Sequence, residues 1–313
     1  MATAYVNQER FGVEFEDRVN RLINTDPDET PLLSMIAKRE CYNNQVDWQQ
    51  ETLDTPNASN SGVDGANVTN AAGDYVSPTG LLNYTQMPQR VFGASFSSNR
   101  IRKPGIGDGA MSMFNHEKAR KLKVLKMDME AAMLSNNDRQ QPLPESTQAG
   151  LIRGAQRWIS TNSIDASTAA NKTVYGGSIL SLPMFEALAK KCVDSGGNPE
   201  TVMANSTNRL KINAFAGDLS RDVDSLGKKI MRMVDQIVSI AGMQNVVFNR
   251  RLDQSVLLIL EMKYWEMGWL REPQSYIKGL TGSRTDGWVE AEFTLIAYAE
   301  KTSGKITGLS IGV

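Results

Sequence analysis

Between Lys38 and Lys103 the chain carries no lysine, and residues 46–99 of that stretch are rich in Asn, Ser, Thr and Gly. Val46, Trp48 and Gln50 alternate with Asp47, Gln49 and Glu51, the period-two pattern of a strand. A return strand reads from Leu82 to Phe96, with Pro88 confining part of it to an edge. Between them, Asn60-Ser61-Gly62, Asp64-Gly65 and Ala72-Gly73-Asp74 are turn chemistry. A loop longer than about 12–15 residues inside a compact domain is usually functional or disordered, and an isolated two-stranded hairpin is marginal in water. An arm of this kind has to lie on something else, and the nearest candidate is another copy of the same chain. The sequence reads as a building block before it reads as an enzyme.

The 34 basic and 35 acidic residues of this 313-residue chain nearly cancel, for a formal charge of −1. A dedicated nucleic-acid binder normally shows a strong basic excess, so that class is disfavoured. Near-neutral copies repel one another weakly, which favours dense assembly. No run approaches about 18 consecutive apolar residues, the signature of a membrane-spanning helix. Met1 to Asn7 lack the charged and apolar regions of a signal peptide. Cys41 and Cys192 stand far apart with no CxxC pattern, which reads as free thiols in a reducing compartment.

Along the chain, Phe15, Val19, Leu22 and Ile23 fall at helical spacing, and Asn24 to Pro27 ends that segment. Thr30 as N-cap and Pro31 at the first helical position open a second short helix with Leu32, Leu33 and Ile36. Asp108 caps the strongest helix, residues 109–135, whose Met111, Phe114, Leu122, Leu125, Met129 and Met133 share one face. At 1.5 Å per residue it spans about 40 Å. Glu117–Lys121 and Lys126–Glu130 sit at the spacing of supporting i,i+4 pairs. A short helix is read over residues 149–159 and a clear one over 181–195, stopped by Gly196-Gly197. Strands are read at 201–204, 236–240, 245–248 and 256–260, and residues 289–299 with 305–311 read as a closing hairpin-like pair. With no βαβ alternation and no long-period repeat, the class is α+β.

Catalytic patterns are sought and not found. His116 is the one histidine, and His116-Glu117 runs on to Arg120 rather than a second histidine, so the zinc-protease pattern fails. Gly105-x-Gly107-x-Gly109 is not the dinucleotide fingerprint. Gly282 to Gly287 has phosphate-loop spacing, but Trp288 stands where the lysine belongs. Asp222 and Asp224 read as a solvated loop rather than a metal or acid–base pair, and Cys192 as core packing on an apolar helix face. Lys118, Arg120, Lys121, Lys123 and Lys126 read as a solvated or inter-subunit face ahead of a DNA contact, because no aromatics interleave.

A family resemblance rests on motifs in order. Asp28-Glu29-Thr30-Pro31-Leu32-Leu33-Ser34-Met35-Ile36, Val46-Asp47-Trp48-Gln49 and Asp64-Gly65-Ala66 are followed by Asp128-Met129-Glu130-Ala131-Ala132-Met133-Leu134. Gly150-Leu151, Trp158-Ile159-Ser160-Thr161, Gly196-Gly197-Asn198-Pro199 and Val246-Val247-Phe248-Asn249-Arg250 come next. Trp269-Leu270-Arg271 and Glu290-Ala291-Glu292-Phe293-Thr294-Leu295 close the series. Together they resemble the major capsid (major head) proteins of tailed phages with the Hong-Kong-97-type fold, over nearly the whole chain. Glu272 interrupts the Arg-Pro pair at Arg271-Glu272-Pro273, and the loop tip is longer and softer than in many relatives.

The resemblance implies an N-terminal arm over residues 1–45 and an extended β-hairpin loop over 46–100. It implies a peripheral domain over 101–196 with a spine helix at about 109–135, an axial domain over 197–255, and return strands to the peripheral domain over 256–313. It implies a structural protein, not an enzyme, that self-assembles as hexamers and pentamers into the icosahedral head of a tailed double-stranded DNA phage. The enclosed genome would be contacted non-specifically. No cofactor, metal, catalytic residue or membrane is implied. A separate scaffolding protein and a portal are, with assembly in the bacterial host cytoplasm and residence in the virion. An encapsulin-type cellular compartment keeps the fold and changes the contents; an unrelated cytoplasmic enzyme is a third reading. The arm is expected to be retained, and no lysine–asparagine chain-mail is expected, since the loop has no lysine.

Charge suggests how the loop is held. Residues 46–99 carry five acids against Arg90, a net −4, and residues 100–126 carry eight basic residues against Asp108 and Glu117, a net +6. If the loop crosses a neighbour's spine helix, Trp48, Glu51, Asp54 and Arg90 meet Arg120 and Lys123 at a subunit boundary. The alternative is that both charge sets face solvent.

Overall fold

In a computed structural model, the described residues are 27–43, 45–50, 82–86, 89–92, 96–99, 113–142, 148–215, 235–278 and 284–311, with single turn positions at 58 and 64. The chain opens with α1 (Pro31–Met35), β1 (Ala37–Glu40), β2 (Val46–Gln50), β3 (Leu82–Gln86), β4 (Gln89–Phe92) and β5 (Phe96–Asn99). Helix α2 (Met113–Leu134) is followed by α3 (Ala155–Trp158), β6 (Ser163–Asp165), α4 (Ala169–Tyr175), α5 (Leu182–Asp194), β7 (Thr201–Ala204) and α6 (Ser206–Phe215). Strands β8 (Gln236–Ser239), β9 (Gly242–Phe248), β10 (Leu257–Leu260), β11 (Trp265–Ile277), β12 (Arg284–Ala297) and β13 (Gly304–Thr307) complete it.

Two large sheets carry the architecture. In one, β1 runs parallel to β11, β11 pairs antiparallel with β12, and β12 pairs on its far side with β4 and β5. The other has the order β6-β13-β10-β7-β9-β8. Its central strands are buried on both faces, so alternate residues feed different cores. Val202, Ala204, Leu257 and Ile259 join the cluster under α5, while Met203, Leu258 and Leu260 join the cluster under α2. The six-stranded sheet therefore separates two cores. Helices and strands are mixed in one chain, as expected.

Helix α2 holds its register through Leu125, Met129, Met133 and Leu134, all buried in the first core. At 1.5 Å per residue its 22 residues span about 33 Å. Positions 109–112 of the expected helix lie outside the described residues, as does the expected first helix around Phe15. Helix α5 ends as expected: Gly196 adopts φ +84°, and Gly197 N–H donates to the Cys192 carbonyl at 2.9 Å.

Several expectations are corrected. The helix read over residues 149–159 is confined to α3, because Leu151 and Gln140 exchange backbone hydrogen bonds at 3.0 and 3.1 Å that a helix would have claimed. The closing strands are not a hairpin. Strand β12 lies in one sheet and β13 in the other, where Ile306 fills the second core. Strand β10 lies with β13 in the six-stranded sheet, and β11 lies with β12 in the other. Strand β11, whose alternation is interrupted by Gly268 and Pro273, has no counterpart among the expected strands. Gly268 is required because a Cβ there would meet Cys41 Sγ at 2.6 Å. Pro273 falls at a register shift between Arg271 and Gln274, where a missing N–H costs no ladder bond.

Candidate functional site

The site on which a shell-forming reading depends is the junction where arm, long helix and loop root meet. Helix α1 starts as the sequence indicates, with Pro31 in its first turn, but Thr30 makes no side-chain cap bond. The helix-start N–H groups need acceptors, and they find one elsewhere in the chain. Glu130 Oε1 accepts from Leu32 N–H at 2.8 Å, and Oε2 from Leu33 N–H at 2.7 Å. Asn249 Nδ2, one residue past β9, donates to the same Oε1 at 2.6 Å. One fully buried carboxylate thus joins the arm, α2 and the six-stranded sheet.

Glu130 was expected to pair with Lys126 on the helix surface, and this is corrected. It lies four residues before Leu134 and three before Met133, so it faces the core with them. Lys126 stays exposed. That placement was the available signal, since an acid on the apolar stripe of a helix needs a buried donor. Burial pushes the Glu130 carboxyl above the usual carboxylate range, opposed by its three N–H donors.

Around this bond, ion pairs hold the entering strand of chain. Lys123 Nζ meets Asp28 at 2.6 Å, which keeps the Asp28 carboxyl below its usual range. Arg250 reaches Glu29 at 3.7 Å, and Arg251 donates to the Pro27 carbonyl at 3.1 Å. Leu32, Leu33 and Ile36 then bury completely or nearly so against the first core. Fully burying such a side chain contributes about 1.5–3 kcal/mol, so these three outweigh the exposed pairs, worth about 0–1 kcal/mol each.

Beside α1 lies an open cavity of about 300 Å³ floored by Leu33, Met129, Trp269 and Pro273, with Lys38 and Lys126 on its wall. Glu272 lines the same cavity, so the two cations there face an acid of this chain. The loop root is built differently. Among the described residues, strands β2 and β3 pair only with each other, forming a two-stranded sheet outside both large ones. Trp48 anchors it, 8 % exposed, with its ring 5.4 Å from Trp158 and 6.1 Å from Tyr298. Tyr298 is held by Glu266 at 2.6 Å and by Arg39 at 3.2 Å.

Of the six residues expected at a subunit boundary, four positions lie among the described residues, on β2, β4 and α2. Trp48 is packed inside its own chain. Glu51 and Asp54 lie outside the described residues. Arg90 stands on β4 in register with Glu292. Arg120 and Lys123 sit one turn apart on α2, Arg120 beside Glu117 at 3.5 Å and Lys123 already on Asp28. The side chain of His116 and residues Gly105 to Gly109, Asp222 and Asp224 also fall outside the description. Trp288 and Gly287 lie within strand β12, so the phosphate-loop spacing is not a loop there. Cys192 is buried on α5, and burial pushes its thiol up to about 12.

The model of the SU10 major capsid protein family matches residues 2–310. No curated protein matches the chain. Among solved structures, one from Mycobacterium phage Bobi superposes with a TM-score of 0.59 at 14 % identity, covering 95 % of this chain and 96 % of that one. The phage G major capsid protein, solved with its decoration proteins, gives 0.53 at 8 % identity over 99 % and 100 % of the two chains. The SrpI encapsulin of Synechococcus elongatus gives 0.58 at 8 % identity over 97 % and 95 %. At these identities the likeness is one of fold.

Proposed function

We propose, for a chain that belongs to the SU10 major capsid protein family, that it forms the closed head shell of a tailed phage by packing many copies of itself around double-stranded DNA. The observation that carries this reading is the family match over nearly the whole length. Geometry supports it. The β2–β3 ribbon is too small to stand alone, yet its root is fixed by Trp48, so the chain presents a rigid base with a loop to place on a neighbour.

In this reading α2 is the spine helix, and the sheet containing β11 and β12 is the peripheral body. The six-stranded sheet is the axial body, and residues 1–45 are the arm held by Glu130. The acidic loop segment with Glu51 and Asp54 lies across a neighbour's α2, near Arg120 and Lys123. Arg90 sits at the loop's return and Trp48 at its root. Because Lys123 also binds Asp28, the arm and the incoming loop share one cation. Copies assemble as hexamers and pentamers in the host cytoplasm, with a separate scaffolding protein and a portal, and the contribution is structural rather than catalytic. The fold likeness to an encapsulin keeps a cargo compartment as a second reading, separated by whether terminase and portal genes or a cargo enzyme lie beside this gene. Negative-stain microscopy of the purified chain tests the proposal: uniform closed particles are expected, and a chain that stays monomeric with its scaffolding partner present would overturn it.

A further inference from the structure

Among the described residues the chain passes between the first core and the six-stranded sheet at three places. Residues 159–162 lead from α3 into β6, residues 261–264 from β10 into β11, and residues 298–303 from β12 into β13. The three crossings meet in one polar cluster. Glu300 Oε2 accepts from Ser160 N–H at 3.0 Å and Thr161 N–H at 3.2 Å, and Oε1 accepts from the Thr161 hydroxyl. Asn162 Nδ2 donates to the Lys301 carbonyl at 2.5 Å and the Ser303 carbonyl at 3.3 Å. Ser303 Oγ in turn accepts from Glu261 N–H at 3.3 Å and from Trp265 Nε1 at 3.0 Å. Each of these bonds ties one crossing to another. Glu261 extends the cluster to the turn between α5 and β7, accepting from Asn198 N–H at 3.0 Å. Glu300, Asn162, Ser303 and Glu261 are all buried. Gly197 lies flush against the last crossing, where a Cβ would meet Thr302 Cα at 2.5 Å.

We infer that this cluster is a pivot that fixes the tilt of the six-stranded sheet against the other sheet, and that Glu300, through this tilt, sets the diameter of the closed shell. The inference rests on the capsid reading and gives that reading a size-determining group. Apolar burial is non-directional, so the first core holds the two bodies together while tolerating a small tilt. Hydrogen bonds weaken steeply once distance or angle departs from narrow limits, so the bonds between crossings select one tilt. Buried and fully partnered, such a network rigidifies the place where it sits. Glu300 is its main link, because its carboxylate takes three donors of one crossing from its place on another. It is a positioning residue, acting through Ser160 and Thr161. A contact repeated from copy to copy closes only when the rotation it imposes is fixed. A spread in tilt, repeated in every copy, therefore becomes a spread in particle size.

The test compares the unaltered chain with Glu300→Gln, Thr161→Val and Ile212→Val. Glu300→Gln sets an amide donor against the donors of the 160–161 crossing. Thr161→Val removes one bond of the three and keeps both backbone donors, so it carries the comparison if Glu300→Gln does not fold. Ile212→Val loosens the second core away from the crossings and controls for lost stability alone. In electron micrographs the unaltered chain and Ile212→Val are expected to give particles of one diameter. Glu300→Gln is expected to give several, with the parental class falling below about half of the total, and Thr161→Val to shift the same way by less. The tilt is read on unassembled Cys41→Ser chains spin-labelled at Lys38→Cys on β1 and Lys190→Cys on α5, both exposed positions, with Cys192 buried. The distance distribution between the labels is expected to be wider in Glu300→Gln and Thr161→Val than in the parent and Ile212→Val. Glu300→Gln and Thr161→Val particles of the single parental diameter, or distance distributions as narrow as the parent's, would overturn the inference and leave the capsid reading intact. Ile212→Val particles as mixed in size as those of Glu300→Gln would overturn it too. An unaltered chain that forms no particles would remove the capsid reading and this inference with it.

Discussion

Replacing Glu130 tests how the arm is held. In Glu130→Ala, two backbone N–H groups and the Asn249 amide lose an acceptor whose bonds measure 2.6 to 2.8 Å. Leaving a buried donor unpaired costs about 1–3 kcal/mol. Three unpaired donors would together cost roughly 3–9 kcal/mol, and deleting the carboxylate removes the cost of burying it, so the net loss is expected at about 2–4 kcal/mol. Leu32, Leu33 and Ile36 still bury apolar surface, so the body should fold while the arm loosens. The assay pairs urea midpoints with trypsin cleavage at Lys38 and Arg39, both exposed just after α1. Cleavage there should accelerate in the variant. Glu130→Gln keeps one acceptor but sets an amide N–H against one of the donors, for a loss of about 1–3 kcal/mol. Because burial raises the Glu130 pKa above 4.5, the native chain binds more protons than the unfolded one in the window just above that value. This group's contribution to stability is therefore greatest below the window and declines as pH rises through it. The gap between parent and Glu130→Gln should narrow over the same range. An alanine variant within about 0.5 kcal/mol of the parent, cleaved at the parent rate, would refute the reasoning.

Trp48→Ala should cost about 3–5 kcal/mol by emptying the space between Trp158 and Tyr298, read as a lowered urea midpoint, with Trp48→Phe losing much less. Gly154→Ala should abolish soluble expression, since its Cβ would lie 2.0 Å from the Ser135 carbonyl oxygen. A thiol reagent at pH 8 should leave Cys192 unmodified until denaturant is added, its pKa being pushed to about 12; rapid labelling of Cys192 in a native Cys41→Ser chain would contradict its placement. Charge reversal at Glu51 and Asp54 should slow assembly at low salt, with reversal of Arg120 and Lys123 partly restoring it, and equal rates across the salt range would assign the loop contact to apolar groups.

What was legible in the sequence followed local rules. The Gly196-Gly197 stop, the Thr30-Pro31 start, the strand at residues 201–204 and the apolar stripe of α2 each depend on near neighbours in the chain. What was missed depends on distant partners. Strand β11 hides behind Gly268 and Pro273, whose roles appear only once Cys41 and β12 are packed against it. The junction at Glu130 was misread because an i,i+4 lysine lay at hand, whereas its donors are Leu32, Leu33 and Asn249. Sheet membership was equally hidden: β12 and β13 are neighbours in sequence but serve different cores.

The central claim is that this chain is a shell subunit whose loop is completed by its neighbour. A reconstruction of closed particles that resolves the subunit tests it most directly. The expected map shows residues 51–81 of one copy crossing α2 of the adjacent copy near Arg120. A map in which that segment folds back on its own chain, touching no neighbour, would contradict it.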